Sequence, residues 1–163
     1  MISLRRSASL LKRLAATSRG VAAVELGLLL PLVTGLIVPL VDLGMGAYTQ
    51  MQLVDAAQAG ADYAARTAAY GFVASNVQSA ATGATVLTGV TATASQVCGC
   101  VSGTTISTFA GTTPPCAQTC GSGGPGLFVT VSTNANYTPL FPYPVLTTNG
   151  YVTLAAQAVV RIN

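Results

Sequence analysis

The sequence predicts an α+β fold, in which a long N-terminal helix that crosses a membrane continues into a small antiparallel β-sheet head. Two observations support this fold class. Segment 21–41 is apolar except for Glu25, and residues 85–97 alternate β-branched and small residues. The 163 residues are enough for one modest domain.

Charge is distributed very unevenly along the chain. Five of the seven basic residues precede Gly20, all four acidic residues lie between Gly20 and Arg66, and residues 67–160 carry no formal charge. A nucleic-acid-binding surface needs Lys and Arg spread over a folded face. The composition therefore argues against nucleic acid as a partner.

Residues 1–20 form a basic leader, and segment 21–41 is predicted to be a transmembrane helix. At about 1.5 Å per residue this segment would span roughly 30 Å, the thickness of the hydrocarbon core of a bilayer. The basic leader predicts a cytoplasmic N-terminus and a head on the other side of the membrane. A cleaved secretory signal peptide is the alternative, with an apolar region of typically about 7–15 residues and a small-x-small cleavage site.

Residues 42–70 are predicted to continue the helix outside the membrane, because no proline occurs between Pro39 and Pro114. This part contains two rows of small residues with a spacing of four, which places each row along one side of a helix. The rows predict a flat packing face, although alanine also occurs simply as a strong helix former. The face comprises Ala56, Ala57, Gly60, Ala61, Ala64 and Ala65.

Residues 71–163 are predicted to form the β-rich head. A short helix is expected at 72–81, a loop at 98–126 and a proline-rich extended connector, "TPLFPYPVL", at 138–146. Strands are expected at 85–97, 127–137 and 150–162.

The four cysteines, Cys98, Cys100, Cys116 and Cys120, all fall in the predicted loop. An even number of cysteines in an extracytoplasmic, loop-rich region predicts disulfides. Cysteines two residues apart rarely bridge each other, so each of the first two is expected to pair with one of the last two, and both arrangements remain open. A zinc site is the alternative, but the spacing is unusual for zinc and the chain has no histidine.

Glu25 needs an explanation, because a charge inside a membrane helix is costly. Its side chain could reach toward the lipid headgroups. Alternatively, cleavage after Gly20 would create an α-amine on Val21, which is mostly protonated at neutral pH. That cation would lie one helical turn from Glu25 and could pair with it within one chain or between subunits.

A basic leader followed by Gly20-Val21-Ala22-Ala23-Val24-Glu25 and an apolar helix resembles the class III signal of type IV pilins and pseudopilins. More narrowly, residues 19–66 resemble the TadE-like domain of tight-adherence (Tad, or Flp) pilus systems. The four cysteines, "YTPLFP" and the ending "AVVRI" extend a looser likeness over nearly the whole chain. Leu26 differs from the family pattern, in which an aromatic residue commonly follows the glutamate.

The resemblance implies a minor pilin or pseudopilin in the bacterial inner membrane, with its head in the periplasm or in an extracellular pilus. It implies that a prepilin peptidase removes residues 1–20, with Gly20 before the scissile bond and Val21 as the new N-terminus. Glu25 would be the acidic residue of the family. The implied partners are the inner membrane, the prepilin peptidase, other pilin or pseudopilin subunits and pilus assembly proteins.

Two other functions compete with this one. The chain could be a membrane-anchored adhesin or adaptor that never polymerises. An enzyme has little support, because the chain has no histidine and "GSGGPG" at 121–126 lacks the lysine of a phosphate-binding loop. We expect no catalytic residue, metal, cofactor or small-molecule substrate. Asp55 and Asp62 are expected to be solvated, and Tyr48, Tyr63 and Tyr70 to be packing residues.

Overall fold

The computed structural model describes residues 18–109, 116, 118–121, 124–141 and 149–162. Helix α1 (Ser18–Arg66) is followed by a 3₁₀ turn (Ala68–Tyr70) and helix α2 (Ala74–Gly83). Four strands follow: β1 (Thr91–Ser102), β2 (Thr105–Phe109), β3 (Gly126–Tyr137) and β4 (Val152–Arg161). The predicted α+β fold, with a long apolar helix and a small antiparallel sheet, is confirmed.

Helix α1 continues through Pro31 and Pro39 without a break. It ends at Arg66, where both the backbone amide and the hydroxyl of Thr67 donate to the carbonyl of Tyr63. The chain divides into two compact units, Met1–Leu43 and Gly44–Asn163, so the boundary falls within this helix. In the first unit, nearly every side chain from residue 21 to residue 41 is exposed.

The sheet of the second unit is antiparallel and has the strand order β2-β1-β3-β4. Strand β3 is central, pairing with β1 over residues 126–134 and with β4 over residues 128–137. Strand β2 is an edge strand that pairs with the C-terminal part of β1, residues 98–102. Two of the three strand pairs in this order, β1 with β2 and β3 with β4, join strands that are consecutive in the chain. Consecutive strands are often neighbours in a sheet.

The predicted start of the sheet is corrected by the structure. Residues 85–90 are not in a strand, and the predicted loop at 98–126 begins instead with the second half of β1, a tight turn and β2. Gly103, with φ of +62°, allows the turn between the two strands, and Thr105 and Ile106 then favour an extended backbone. Part of the predicted connector, residues 142–146, lies outside the described residues.

The core of the head lies between the helices and the inner face of the sheet. Side chains alternate along β4 between half-buried and exposed, as expected when one face of a sheet is covered. The buried cluster joins both helices to the central strand and contains Ala61, Ala64, Val77, Ala81, Val129 and Val131. The helices contribute three alanines to this cluster, so they can approach the sheet closely.

Candidate functional site

The apolar half of α1 has the surface of a membrane anchor. From Val21 the helix is long and apolar enough to cross a membrane, and none of its most apolar stretch is buried. Leu26, Leu28 and Leu36 are among its exposed side chains. Exposed leucines along a whole helix are unfavourable in water and favourable in lipid, which indicates membrane anchoring.

Glu25 is an exposed acidic residue on this apolar surface. It lies four residues after Val21, so the two residues share one side of α1 with a rise of about 6 Å between them. Gly20 is also within the helix, two residues after its start at Ser18. The geometry therefore places the three predicted processing and assembly residues within two turns of one helix.

Five of the six small residues predicted as a packing face are buried in the head: Ala56, Ala57, Gly60, Ala61 and Ala64. Ala65 is exposed, so its inclusion in the face was wrong. Residues four apart on an α-helix are rotated by about 40°, because 3.6 residues make one turn. The row that starts at Ala57 has therefore turned away from the sheet by Ala65.

Gly60 marks the closest approach on this face. A Cβ atom at Gly60 would lie 3.0 Å from Ala81 Cβ on α2, 3.0 Å from Val131 Cγ1 on β3 and 3.3 Å from the carbonyl oxygen of Val77. Contacts between carbon atoms are optimal at about 3.5–4.0 Å. The glycine thus lets α1 lie against α2 and the sheet at the same time.

Polar contacts of Thr133 and Gln50 connect α1 to the sheet, and neither contact was predicted from the sequence. The hydroxyl of Thr133 on β3 is buried and donates to the carbonyl of Leu53 over 2.8 Å. The Gln50 amide donates to the carbonyl of Ala155 on β4, also over 2.8 Å. Thr133 has the same alternation as Val129 and Val131, and that periodicity was the available signal for its burial.

Two disulfides connect β1 to the segment before β3. Cys98 pairs with Cys116 and Cys100 with Cys120, and the Cα atoms of both pairs are 5.6 Å apart. The two strand cysteines share one side of β1 because side chains alternate along a strand. All four thiols are used, so the structure supports disulfides and not a zinc site.

The remaining candidates lie on the surface of the head. Asp55 and Asp62 are exposed, in agreement with the solvated interpretation. Tyr70 is 89% exposed and Tyr48 is 45% exposed, so the expectation that both are packing residues was wrong. Within the described ranges, no group of three or more His, Cys, Asp or Glu side chains could hold a metal ion.

Residues 20–62 match the family model described as TadE-like protein. The resemblance found in the sequence is thus confirmed over this segment, which contains Glu25 and much of the packing face. The match covers 43 of the 163 residues, all of them within helix α1. No curated protein and no solved structure matches the chain.

Proposed function

We propose that the protein is a minor pilin or pseudopilin of a Tad pilus, made as a precursor and processed by a prepilin peptidase after Gly20. The observation that carries the proposal is the TadE-like match over residues 20–62 on a helix whose apolar half is exposed. Such a helix can be held in a membrane and can later pack against helices of other subunits. Its inner-membrane location and periplasmic head are part of the proposal.

Glu25 has an electrostatic role in this proposal. Removal of residues 1–20 creates a protonated α-amine on Val21, one helical turn from the carboxylate. In a low-dielectric surrounding, an unpaired carboxylate is costly and a paired one much less so. An incoming subunit that supplies the amine would neutralise Glu25 of its neighbour, so charge pairing would select the correct axial position during assembly.

An intact mass spectrum of the purified protein tests the processing. Cleavage after Gly20 leaves 163 − 20 = 143 residues, and reduction of two disulfides adds about 4 Da. Mature protein that keeps Met1 as its first residue would contradict the proposal. It would favour the alternative of a membrane-anchored adhesin or adaptor that does not polymerise.

Substitution of Glu25 tests the assembly role. We expect Glu25→Gln to abolish pilus formation, measured as sheared fibres by electron microscopy, because the substitution removes the charge and keeps the shape. Glu25→Asp keeps the charge and is expected to retain part of the assembly. Asp55→Asn, an exposed acid on the same helix but in the head, is the matched control and should assemble normally. Normal pili with Glu25→Gln would refute the role of the charge.

A further inference from the structure

The four-stranded sheet has two outer edges, formed by β2 on one side and β4 on the other. Within the described part of the chain, no other strand pairs with the outward side of β2 or β4. The outward amides and carbonyls of an edge strand can pair with a strand of another chain, which makes such an edge a common site of contact between proteins.

Strands β2 and β4 lack the side chains that protect most exposed edges. Lysine and other charged residues, as well as proline, discourage the addition of a further strand. Residues 105–109 of β2 and 152–160 of β4 contain no charged residue and no proline. Ile106 and Val159, one on each edge strand, are 36% and 45% exposed. The two edges are therefore chemically open to pairing.

A single backbone hydrogen bond identifies the outward groups of β4. The amide of Ile162, directly after the strand, donates to the carbonyl of Leu127 on β3 over 2.9 Å. In an antiparallel sheet, residues that bond to one neighbouring strand alternate with residues whose amide and carbonyl point the other way. The even-numbered residues of β4 therefore bond to β3, and Gln157 and Val159 point their backbone groups outward.

The turn between β1 and β2 identifies the outward groups of β2. Ser102 and Thr105 are opposite each other and enclose a two-residue loop, and the first and last residues of such a turn are joined by a backbone hydrogen bond. Thr105 therefore bonds to β1, and Ile106 and Thr108 point their amides and carbonyls outward. Each edge thus offers two outward residues with the same spacing, 106 and 108 on β2 and 157 and 159 on β4.

The outward residues of both edges also have their side chains on the same face of the sheet. Even-numbered residues of β1 and β4 pack against the core, Ala94 and Ala158 among them. Residues 157 and 159 therefore lie on the opposite face, and so do residues 106 and 108, which oppose odd-numbered residues of β1. Opposite residues of an antiparallel pair share a face. A second copy can therefore extend the sheet while its helices stay on the same side.

The directions of the two edge strands are also compatible. Strand β1 is antiparallel to β2 and β3, and β3 is antiparallel to β4, so β2 and β4 run in opposite directions. A copy that lies beside another in the same orientation keeps all its strand directions. Its β2 is then antiparallel to the neighbouring β4, as pairing requires. Copies anchored in one membrane can adopt this arrangement because neither has to be inverted.

We propose that β2 of one copy of this chain pairs with β4 of a second copy, so that two four-stranded sheets join edge to edge. The contact is heterologous, because different strands of the two copies meet, and it can repeat to form an open chain. It goes beyond the proposed function, because it assigns a backbone contact between heads in addition to packing between membrane helices. It involves neither Gly20 nor Glu25, so either proposal can fail while the other holds.

Proline substitutions on the two edges test the proposal. Thr108→Pro and Val159→Pro each remove one outward amide and leave the amides that bond inside the sheet. Thr108→Val and Val159→Thr are the matched controls, because they keep the amide and a β-branched side chain. The size of the oxidised full chain in detergent micelles is measured by analytical ultracentrifugation. We expect a concentration-dependent series of oligomers for the unmodified protein and the controls, and monomers for each proline variant alone.

A mixture of the two proline variants shows which edges meet. The Thr108→Pro protein keeps an intact β4 edge and the Val159→Pro protein keeps an intact β2 edge, so together they should form a dimer and no larger species. A monomeric unmodified protein at about 0.1 mM would overturn the proposal. Oligomers of either natively folded proline variant alone would overturn it too, and would indicate pairing between like edges or contact through a different surface.

Hydrogen exchange of the unmodified protein tests the contact without a substitution. We expect the amides of residues 106, 108, 157 and 159 to exchange more slowly in the oligomer than in the monomer, because they become bonded in the new strand pair. Equal exchange in both forms refutes pairing of these edges, even if a proline variant fails to fold.

Discussion

Because α1 lies close to α2 and β3, a glycine-to-alanine substitution should have opposite effects on stability at two positions of α1, Gly60 and Gly44. Gly60→Ala adds a methyl group 3.0 Å from both Ala81 Cβ and Val131 Cγ1, whereas Gly44→Ala adds it where no atom beyond the adjacent backbone of its own helix lies within 4 Å. Both glycines are inside α1, so both substitutions gain helix propensity. Only the substitution at Gly60 meets the packed interior.

The expected change in stability is the sum of a gain in helix propensity and a cost of overpacking. Glycine is about 0.8–1.0 kcal/mol less favourable than alanine in a helix interior, so Gly44→Ala should stabilise the protein by up to about 1 kcal/mol. Overpacking a well-packed core costs about 1–3 kcal/mol. Val131 is fully buried and Ala81 belongs to α2, so neither can move away freely. We expect a net destabilisation of about 1 kcal/mol for Gly60→Ala and about 2 kcal/mol between the two variants.

Thermal unfolding of the oxidised full chain in detergent micelles measures the difference. The near-ultraviolet circular dichroism of the tyrosines follows the head, since the protein has no tryptophan. At about 4 °C per kcal/mol for a unit of this size, the two variants should differ in Tm by about 8 °C, with Gly60→Ala the lower. If Gly60→Ala raises Tm as much as Gly44→Ala does, the inferred close packing is refuted.

Two further predictions concern the contacts that hold the head together. Thr133→Val should lower the free energy of unfolding by about 1–2 kcal/mol, because it removes the buried hydrogen bond to Leu53. Thr133→Ser keeps the hydroxyl and should recover part of this loss. If urea unfolding shows the same stability for Thr133→Val and the unmodified protein, the role of this bond is contradicted. The double variant Cys100→Ser, Cys120→Ser should lose about 3 kcal/mol, since the disulfide closes a loop with a sequence separation of 20 residues. Calorimetry measures that loss, and an unchanged Tm would show that this disulfide does not constrain the unfolded chain.

Helices and strands whose signal is a pattern of consecutive residues were predicted well from the sequence. The length and apolar composition of the N-terminal segment predicted α1, and the strands predicted at 127–137 and 150–162 agree with β3 and β4 to within two residues at each end. The TadE-like segment was recognisable for the same reason, because Gly20, Glu25 and the apolar run lie close together in the sequence. The β1–β2 hairpin was missed because glycine, cysteine and serine in this region are typical of loops.

The sequence by itself determined the membrane-like helix, the α+β class and the position of Glu25 one turn from Val21, because periodicity and hydropathy act along a few consecutive residues. Only the tertiary structure decided which cysteines pair, which side of α1 is buried and why Ala65 is not. It also placed β2 and β4 at the two edges of one sheet. These features depend on distances between residues far apart in the chain, and such distances are set by how the helices and strands pack.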